Sequence, residues 1–229
     1  GIVFDFDGTL FDDISLAKRL LKILAKRYGM DFTEEEIENM EWQIFEELSQ
    51  GGTKWGQLKL FLKIAKTYGR PLHKRLGFVL EIEKLYKEEI VKCPLIPGTE
   101  GSLEQLSKIA QLGLFSSTKY DDIVHRLDGR AHILNHFGDN MSTGDTVKHM
   151  KPHPEGLIKI VESWDIPKEN VYFVGDMITD VQAGLKVGCK NIGVLTGVAT
   201  KEELRKAGAD FVVESVSLIP KLIQEQISD

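Results

Sequence analysis

The feature of the sequence that most constrains the fold is the alternation of helical and strand-like segments after residue 98. Short apolar runs are separated there by amphipathic segments in which apolar residues recur at helical spacing. The predicted strands cover 112–116, 171–174, 191–194 and 211–213, and the predicted helices cover 100–111, 154–164, 179–187 and 201–207. This alternation is typical of a parallel sheet covered by helices on both faces, so we predict an α/β domain.

The first residues of the chain belong to the same predicted sheet. Residues 2–6 are an apolar run interrupted by one aspartate, and such runs are typical of strands buried inside parallel sheets. Residues 13–92, in contrast, show helical spacing only, and their apolar stripes predict four amphipathic helices in a small bundle. Thr33 and Glu36 form a capping-box pair that predicts the start of the second of these helices.

These patterns divide the chain into two predicted domains. Residues 1–12 and 96–229 form the core domain, and residues 13–95 form an all-helical cap that is inserted into it. Ligands of open α/β sheets bind at the carboxyl ends of the strands. We therefore expect the functional site at that edge of the core domain.

The composition disfavours several classes of protein. A formal net charge of −6 disfavours a protein dedicated to nucleic acid, which would carry a basic face. No apolar run approaches the roughly 18 residues of a membrane span, and no signal peptide is recognisable. Cys93 and Cys189 lack the spacing of a zinc site, and so few cysteines fit a reducing compartment. We expect a cytoplasmic monomer or weak homodimer that binds neither nucleic acid nor membranes.

Polar residues follow the predicted strands at the edge where ligands bind. They are Asp5, Asp7, Gly8 and Thr9 after the first strand, Ser116 and Ser117 after the second, and Asp176 and Asp180 after a later one. Lys151 lies between the last two groups, in a Lys-Pro-His-Pro segment. Because a parallel sheet brings the carboxyl ends of its strands to one edge, we expect these residues to lie together.

The residue types in this set suit phosphoryl-transfer chemistry. Asp5, Asp7 and Asp176 offer the hard oxygen ligands that suit Mg²⁺, and a divalent cation removes the repulsion among packed carboxylates. Lys151 and the Ser116 hydroxyl can hold phosphoryl oxygens. One carboxylate can attack phosphorus, and a second can act as general acid and base.

Each polar segment also has a simpler explanation when it is taken alone. The acidic segment after the first strand can be a turn in which Gly8 permits a close backbone approach. Asp176 and Asp180 can stabilise the start of the following helix. Ser116 can end a strand, and Lys151 can be a solvated surface lysine. The occurrence of all four segments in order on one predicted edge favours a functional site.

The combination resembles the haloacid dehalogenase superfamily of phosphohydrolases over nearly the whole chain. The four motifs are matched by Asp5-x-Asp7-Gly8-Thr9, Ser116, Lys151 and Gly175-Asp176-x-x-x-Asp180. Segments 96–98, 151–155, 195–197 and 207–210 are similar to the phosphoglycolate phosphatase-like branch of that superfamily. The resemblance implies a Rossmann-like core and identifies the helical insert with the cap domain of that branch.

The resemblance also implies a role for each motif residue. Asp5 would be the nucleophile that becomes an aspartyl phosphate, and Asp7 would protonate the leaving alcohol and then activate water. The Asp5 carboxylate, the Asp7 backbone carbonyl and Asp176 would hold Mg²⁺. Asp180 would act through a water or from outside the ligand set. Lys151 would orient Asp5 and bind the phosphoryl group.

Further contacts to a small, phosphoglycolate-like phosphorylated metabolite follow from the same resemblance. The phosphate contacts would come from Gly8, Thr9, Ser116 and Ser117. The Gly51-Gly52-Thr53-Lys54 segment matches the position of the family's substrate loop, so Lys54 is predicted to contact the substrate. The alternative for this segment is a plain turn between two helices, because glycine commonly ends helices.

Within the superfamily, the residues favour hydrolysis of a phosphomonoester. Asp7 argues against dehalogenation, because the dehalogenases of the superfamily lack this second aspartate. Gly175 stands where its hexose-phosphate mutases tend to carry glutamate, which favours hydrolysis over intramolecular phosphotransfer. A non-catalytic phosphate-binding regulatory protein, the remaining alternative, would not need both Asp5 and Asp7. We predict a Mg²⁺-dependent phosphatase.

Overall fold

The computed structural model describes residues 1–28, 33, 35–36, 66, 80–81 and 84–228. The chain divides into two compact units, a core unit of residues 1–12 and 94–229 and an insert of residues 13–93. The second boundary lies slightly before the predicted one at residue 95. The backbone N–H of Asp12 donates to the carbonyl of Pro94 at 3.0 Å, so the two ends of the core that flank the insert lie side by side.

The core unit is built on a parallel sheet, as the alternating pattern predicts. Its strands are β1 (Ile2–Phe4), β2 (Leu112–Phe115), β3 (Met141–Ser142), β4 (Tyr172–Gly175), β5 (Lys190–Val194) and β6 (Phe211–Val213). The described strands lie in the order β3-β2-β1-β4-β5-β6, and all pairings are parallel. Phe4 of β1 pairs with Leu114 on one side and Val174 on the other. The carboxyl ends of β2, β1 and β4 therefore meet at one edge.

Helices cover this sheet and complete the α/β architecture. Among the described residues, the core unit contains the α-helices α2 (Thr99–Leu106), α3 (Tyr120–Leu127), α4 (Glu155–Glu162), α5 (Ile178–Val187), α6 (Lys201–Ala207) and α7 (Ile219–Ser228), and helix α1 (Ile14–Tyr28) belongs to the insert. Short 3₁₀ helices lie at Ala131–His136, Lys168–Asn170 and Val216–Leu218. Helix α4 packs on β2 and β3, α5 packs on β4 and β5, and the two helices contact each other.

The apolar core between α4 and the sheet sets the position of the strand ends. Val3, Phe115 and Phe173, from three neighbouring strands, pack against Leu157 of α4, and all four are almost completely buried. Each such side chain contributes about 1.5–3 kcal/mol of hydrophobic free energy on burial. A Cβ atom on Gly156 would lie 2.3 Å from the Phe115 ring, so glycine allows α4 to approach β2 closely.

The structure differs from the predicted elements mainly at their ends and in two short segments. β1 ends at Phe4 rather than Phe6, because the chain turns there and the N–H groups of Leu10 and Phe11 donate to the Phe6 carbonyl at 2.9 and 3.0 Å. Helix α3 and strand β3 are absent from the prediction. Helix α3 spans eight residues, and strand β3 spans only two, which is too short for an alternation to be visible in the sequence.

The described residues of the insert include helix α1 and a helical segment at 84–90. The N–H of Thr33 donates to Glu36 Oε2 at 2.9 Å and the N–H of Glu36 donates to Thr33 Oγ1 at 3.2 Å, which confirms the capping box. Most of the predicted second, third and fourth helices lie outside the described residues. Across the residues that the structure describes, no helix is both long and apolar enough to cross a membrane.

Candidate active site

Asp5 lies directly after β1 at the carboxyl edge of the sheet. Its backbone N–H donates to the carbonyl of Val174 at 2.8 Å and its side chain is buried. The turn that follows requires glycine at position 8, because φ is +70° there and a Cβ atom would lie 2.6 Å from Asp176 Oδ2. The turn therefore packs the first motif against the fourth.

Lys151 joins Asp5 to Asp180. Its Nζ lies 2.6 Å from Asp5 Oδ1 and 2.7 Å from Asp180 Oδ1, and all three side chains are at most 5% exposed. The same Nζ lies over the rings of Phe115 and Phe173, at 5.5 and 5.9 Å from their centroids. A solvated surface position for Lys151 is therefore excluded, and a buried lysine of this kind is held by its charged partners.

Burial and neighbouring charges shift the pKa values of Lys151 and Asp5 in opposing directions. Burial lowers the pKa of Lys151, but the carboxylates of Asp180 and Asp5 outweigh it, so that the pKa is raised above its usual value. For Asp5, burial raises the pKa, Lys151 opposes this effect, and the neighbouring Asp180 and Asp176 raise it further. The resulting pKa of Asp5 lies well above the usual range. Additional positive charge beside Asp5 would therefore favour its ionised form.

Asp5, Asp176 and Asp180 form a buried carboxylate cluster. One oxygen of each residue lies within 4.8 Å of the others. Asp176 is held in place by the Thr9 hydroxyl, which donates to Oδ1 at 3.3 Å, and by the N–H of Val198, which donates to Oδ2 at 3.0 Å. Three carboxylates outnumber the one lysine beside them, and their hard oxygens suit a divalent cation. The donor set thus fits a metal such as Mg²⁺.

Asp180 contacts both the backbone at the start of α5 and the buried lysine of the site. Its Oδ2 accepts a hydrogen bond from the backbone N–H of Met177 at 2.9 Å at the start of α5, while its Oδ1 faces Lys151. A Cβ atom on Gly175 would lie 2.4 Å from the Asp180 side chain. Any larger residue at position 175, glutamate included, would therefore displace Asp180.

The predicted phosphate-contact residues take different positions. Ser116 is buried after β2, where its Oγ accepts the N–H of Thr118 at 3.0 Å and its own N–H donates to the Ser142 carbonyl at 2.9 Å. Ser117 is exposed in the loop that follows. The Thr9 hydroxyl is fully buried against Asp176, so the contact that the structure gives it is to a carboxylate. Lys54, the predicted substrate contact in the insert, lies outside the described residues.

Asp7 has two partners that the sequence analysis missed. Its Oδ2 accepts a hydrogen bond from the Thr118 hydroxyl at 2.6 Å, and its Oδ1 forms an ion pair with Nη1 of Arg126. A signal for Arg126 was present in the sequence, because it adjoins the apolar pair Ile123 and Leu127 at helical spacing. An arginine beside a buried stripe is rarely buried itself unless it has a charged partner.

The arrangement of these groups defines a class of protein. A buried lysine and three buried aspartates meet at the carboxyl edge of a parallel α/β sheet, which is where such sheets carry their ligands. This fold and this site are those of an α/β phosphohydrolase. A family model described as haloacid dehalogenase-like hydrolase matches residues 2–194. The chain belongs to this family, and it is a phosphoric monoester hydrolase of the haloacid dehalogenase superfamily.

Known proteins similar over the whole chain agree with this assignment. A phosphoglycolate phosphatase from Shigella boydii is 25% identical, and the match covers 97% of this chain and 92% of that protein. The pyrophosphatase PpaX from Oceanobacillus iheyensis is 24% identical, with coverages of 99% and 98%. A crystal structure of a HAD family hydrolase from Deinococcus radiodurans, with bound phosphate and sodium, has a TM-score of 0.79 at 18% identity and covers 98% of this chain and 95% of that chain. At that identity the likeness shows the fold, which is the predicted one.

Proposed function

We propose that the protein is a Mg²⁺-dependent phosphatase that hydrolyses a small phosphomonoester through an aspartyl phosphate on Asp5. The observation that carries the proposal is the position of Lys151, whose Nζ contacts both Asp5 and Asp180 inside the buried cluster that includes Asp176. Burying this many charged groups is costly, and such sites are retained where chemistry requires them.

The proposed metal ligands are the Asp5 carboxylate, the backbone carbonyl of Asp7 and Asp176. Bound Mg²⁺ would neutralise charge on the cluster and on the phosphoryl oxygens. Asp180 contacts Lys151 and the backbone of α5, which supports a role outside the direct ligand set. Thr9 and Val198 would hold Asp176 in its binding position through their hydrogen bonds.

In the proposed first step, a carboxylate oxygen of Asp5 attacks phosphorus, and the bond from phosphorus to the leaving oxygen breaks. Asp7 gives a proton to the leaving oxygen, so the alcohol departs neutral. In the second step, water attacks the phosphorus of the aspartyl phosphate and Asp7 takes its proton. Inorganic phosphate is released and the Asp5 carboxylate is restored. Lys151 keeps Asp5 oriented, and Lys151 and Ser116 bind phosphoryl oxygens.

The proposed substrate is a small phosphorylated metabolite of the phosphoglycolate type. Support comes from the Shigella relative, which is a phosphoglycolate phosphatase, while the Oceanobacillus relative is a pyrophosphatase. We further propose a cytoplasmic monomer or weak homodimer with no nucleic-acid or membrane partner. The sequence has only two cysteines, Cys93 and Cys189, and such low cysteine usage supports a reducing compartment.

Intramolecular phosphotransfer is the second candidate, and the packing around Gly175 argues against it. The glutamate that the superfamily's hexose-phosphate mutases tend to carry at this position would overlap Asp180 here. The fourth motif is thus packed around a glycine. We therefore favour water over a second hydroxyl of the substrate as the final phosphoryl acceptor.

The test is a panel of phosphorylated metabolites that includes 2-phosphoglycolate, pyrophosphate, hexose phosphates and p-nitrophenyl phosphate. We expect Mg²⁺-dependent release of inorganic phosphate from at least one small phosphomonoester and none from the Asp5→Asn variant. Isomerised sugar phosphate without phosphate release would show a mutase. Tight phosphate binding without turnover of any substrate would show a binding protein and would refute the proposal.

A further inference from the structure

The two aspartates of the first motif are held by two different cations. Asp5 contacts Lys151, which follows β3 in the sequence, whereas Asp7 contacts Arg126 on α3. The first contact holds Asp5, the proposed nucleophile, and places Lys151 where it is proposed to bind the phosphoryl group. The second contact holds Asp7, the residue proposed to transfer the proton of the leaving group.

Both oxygens of Asp7 are engaged, each from a different part of the core unit. Thr118, in the loop after β2, donates to Oδ2, and Arg126, in the last turn of α3, contacts Oδ1. One hydrogen bond leaves a carboxylate free to rotate about its Cβ–Cγ bond. Two contacts on separate oxygens, from separate elements, define the plane of the carboxylate as well as its position.

Arg126 is itself well placed to hold Asp7. Its side chain is 13% exposed and that of Asp7 is 25% exposed, so the pair is largely shielded from water. Screening by solvent is therefore weaker than at an exposed ion pair. Helix α3 is anchored by Ile123 and Leu127, which are fully buried on either side of Arg126 in the sequence. The guanidinium is thus carried by a fixed turn of helix.

We propose that Arg126 is a positioning residue that orients the carboxylate of Asp7 for proton transfer to the leaving group. The inference rests on the proposed function, in which Asp7 is the general acid and base. Such a group must lie within hydrogen-bond reach of the leaving oxygen. A small loss of orientation therefore reduces the rate even when every catalytic residue is present.

The test exploits the leaving group. Proton donation matters for an alkyl phosphate such as glycerol 3-phosphate, or the panel's best phosphate ester of an uncharged alcohol, and matters little for p-nitrophenyl phosphate. In Arg126→Met we expect kcat/KM for the alkyl phosphate to fall about 10- to 100-fold, which is part of the 10²–10⁴-fold worth of a general acid. For p-nitrophenyl phosphate we expect a fall of less than about 3-fold.

Two variants define the contact more closely. Arg126→Lys keeps the charge but loses the planar donor fork, so it should recover activity on the alkyl phosphate only in part. The control variant is Arg205→Met, which removes an exposed arginine of helix α6 in the same unit. It should leave kcat/KM unchanged for both substrates. The melting temperature of each variant, measured alongside, reports whether the fold is intact.

A double-mutant cycle separates positioning from an independent role. In an Asp7→Asn background, Arg126→Met should reduce kcat/KM for the alkyl phosphate by less than about 3-fold, because its effect passes through Asp7. Additive losses, or equal losses with both substrates, would overturn the inference. An active wild type with these outcomes leaves the proposed function standing. A wild type that turns over no phosphomonoester refutes the proposed function, and the inference falls with it.

Discussion

Gly197 lies against Asp176 so closely that a Cβ atom on it would come within 1.8 Å of Asp176 Oδ2. Glycine at this position lets the chain after β5 reach the site. The next N–H, that of Val198, can then donate to the same carboxylate oxygen. The Leu195-Thr196-Gly197 segment, whose sequence is similar to one branch of the superfamily, thus helps to position a proposed metal ligand.

The first prediction follows from this contact. Gly197→Ala should displace the Asp176 carboxylate by the order of an ångström and reduce kcat/KM by about 10²-fold. Gly101→Ala is the matched control, because a Cβ atom there meets nothing within 4 Å. This control should keep full activity and gain roughly 0.5–1 kcal/mol of stability, as expected for alanine replacing glycine inside a helix. Equal activity of the two variants would contradict the role given to Gly197.

The second prediction concerns the metal. Phosphatase activity should be lost in excess EDTA and restored by Mg²⁺. The reason is that the clustered carboxylates repel one another and the phosphoryl group unless a bound cation neutralises part of their charge. Ca²⁺ should support little turnover, since it prefers more ligands and longer bonds than an octahedral Mg²⁺ site provides. The measurement is phosphate release from the best substrate of the panel. Full activity in excess EDTA would show that the reaction does not depend on a metal ion.

The third prediction separates the two chemical steps. Asp7→Asn should lower kcat/KM for an alkyl phosphate by about 10²–10⁴-fold, because the general acid is lost. With p-nitrophenyl phosphate the variant should still phosphorylate Asp5, and the intermediate should accumulate because its hydrolysis needs the base. Acid-quench labelling and intact mass will detect the added phosphoryl group. The control variant is Asp121→Asn, which changes an exposed residue of α3 and should behave as wild type. If Asp7→Asn turned over the alkyl phosphate at the wild-type rate, that result would contradict the mechanism.

The fourth prediction concerns the loop that carries Lys151. The Glu155 carboxylate accepts the N–H groups of Lys148 and His149 at 3.1 and 3.2 Å, and it contacts His149 Nδ1 at 2.9 Å. These contacts, led by the hydrogen bond from Lys148, lower the pKa of Glu155 from 4.5 to about 2. Glu155→Gln should therefore lower the melting temperature at pH 7.

The sign of the pH dependence follows from the depressed pKa of Glu155. The stability that this carboxylate contributes is fully present above its unfolded pKa of 4.5 and is lost as the pH falls through about 2. The gap in melting temperature between wild type and Glu155→Gln should thus shrink as the pH falls below 4.5. Glu104→Gln, at an exposed pair with Lys108, should show almost no gap at any pH. A gap that widens as the pH falls below 4.5 would contradict the assignment.

The strands and the polar residues at their ends could be predicted because both depend on neighbours in the sequence. The apolar run of β1 is followed directly by Asp5, and that of β4 by Asp176. Parallel pairing then places the two residues at one edge. The same local reasoning anticipated the hydrogen bonds between Thr33 and Glu36, since the two partners of a capping box are only three positions apart in the sequence.

The sequence by itself therefore determined the α/β class, the inserted helical segment and the residue types at the edge of the sheet, because periodicity and turn chemistry are local properties of the chain. Only the tertiary structure decided which charges meet. Arg126 is 119 residues from Asp7, and the distance of Gly197 from Asp176 depends on how the chain returns after β5. Such contacts arise from the packing of separate elements on a common sheet, and no local pattern encodes the distance between them.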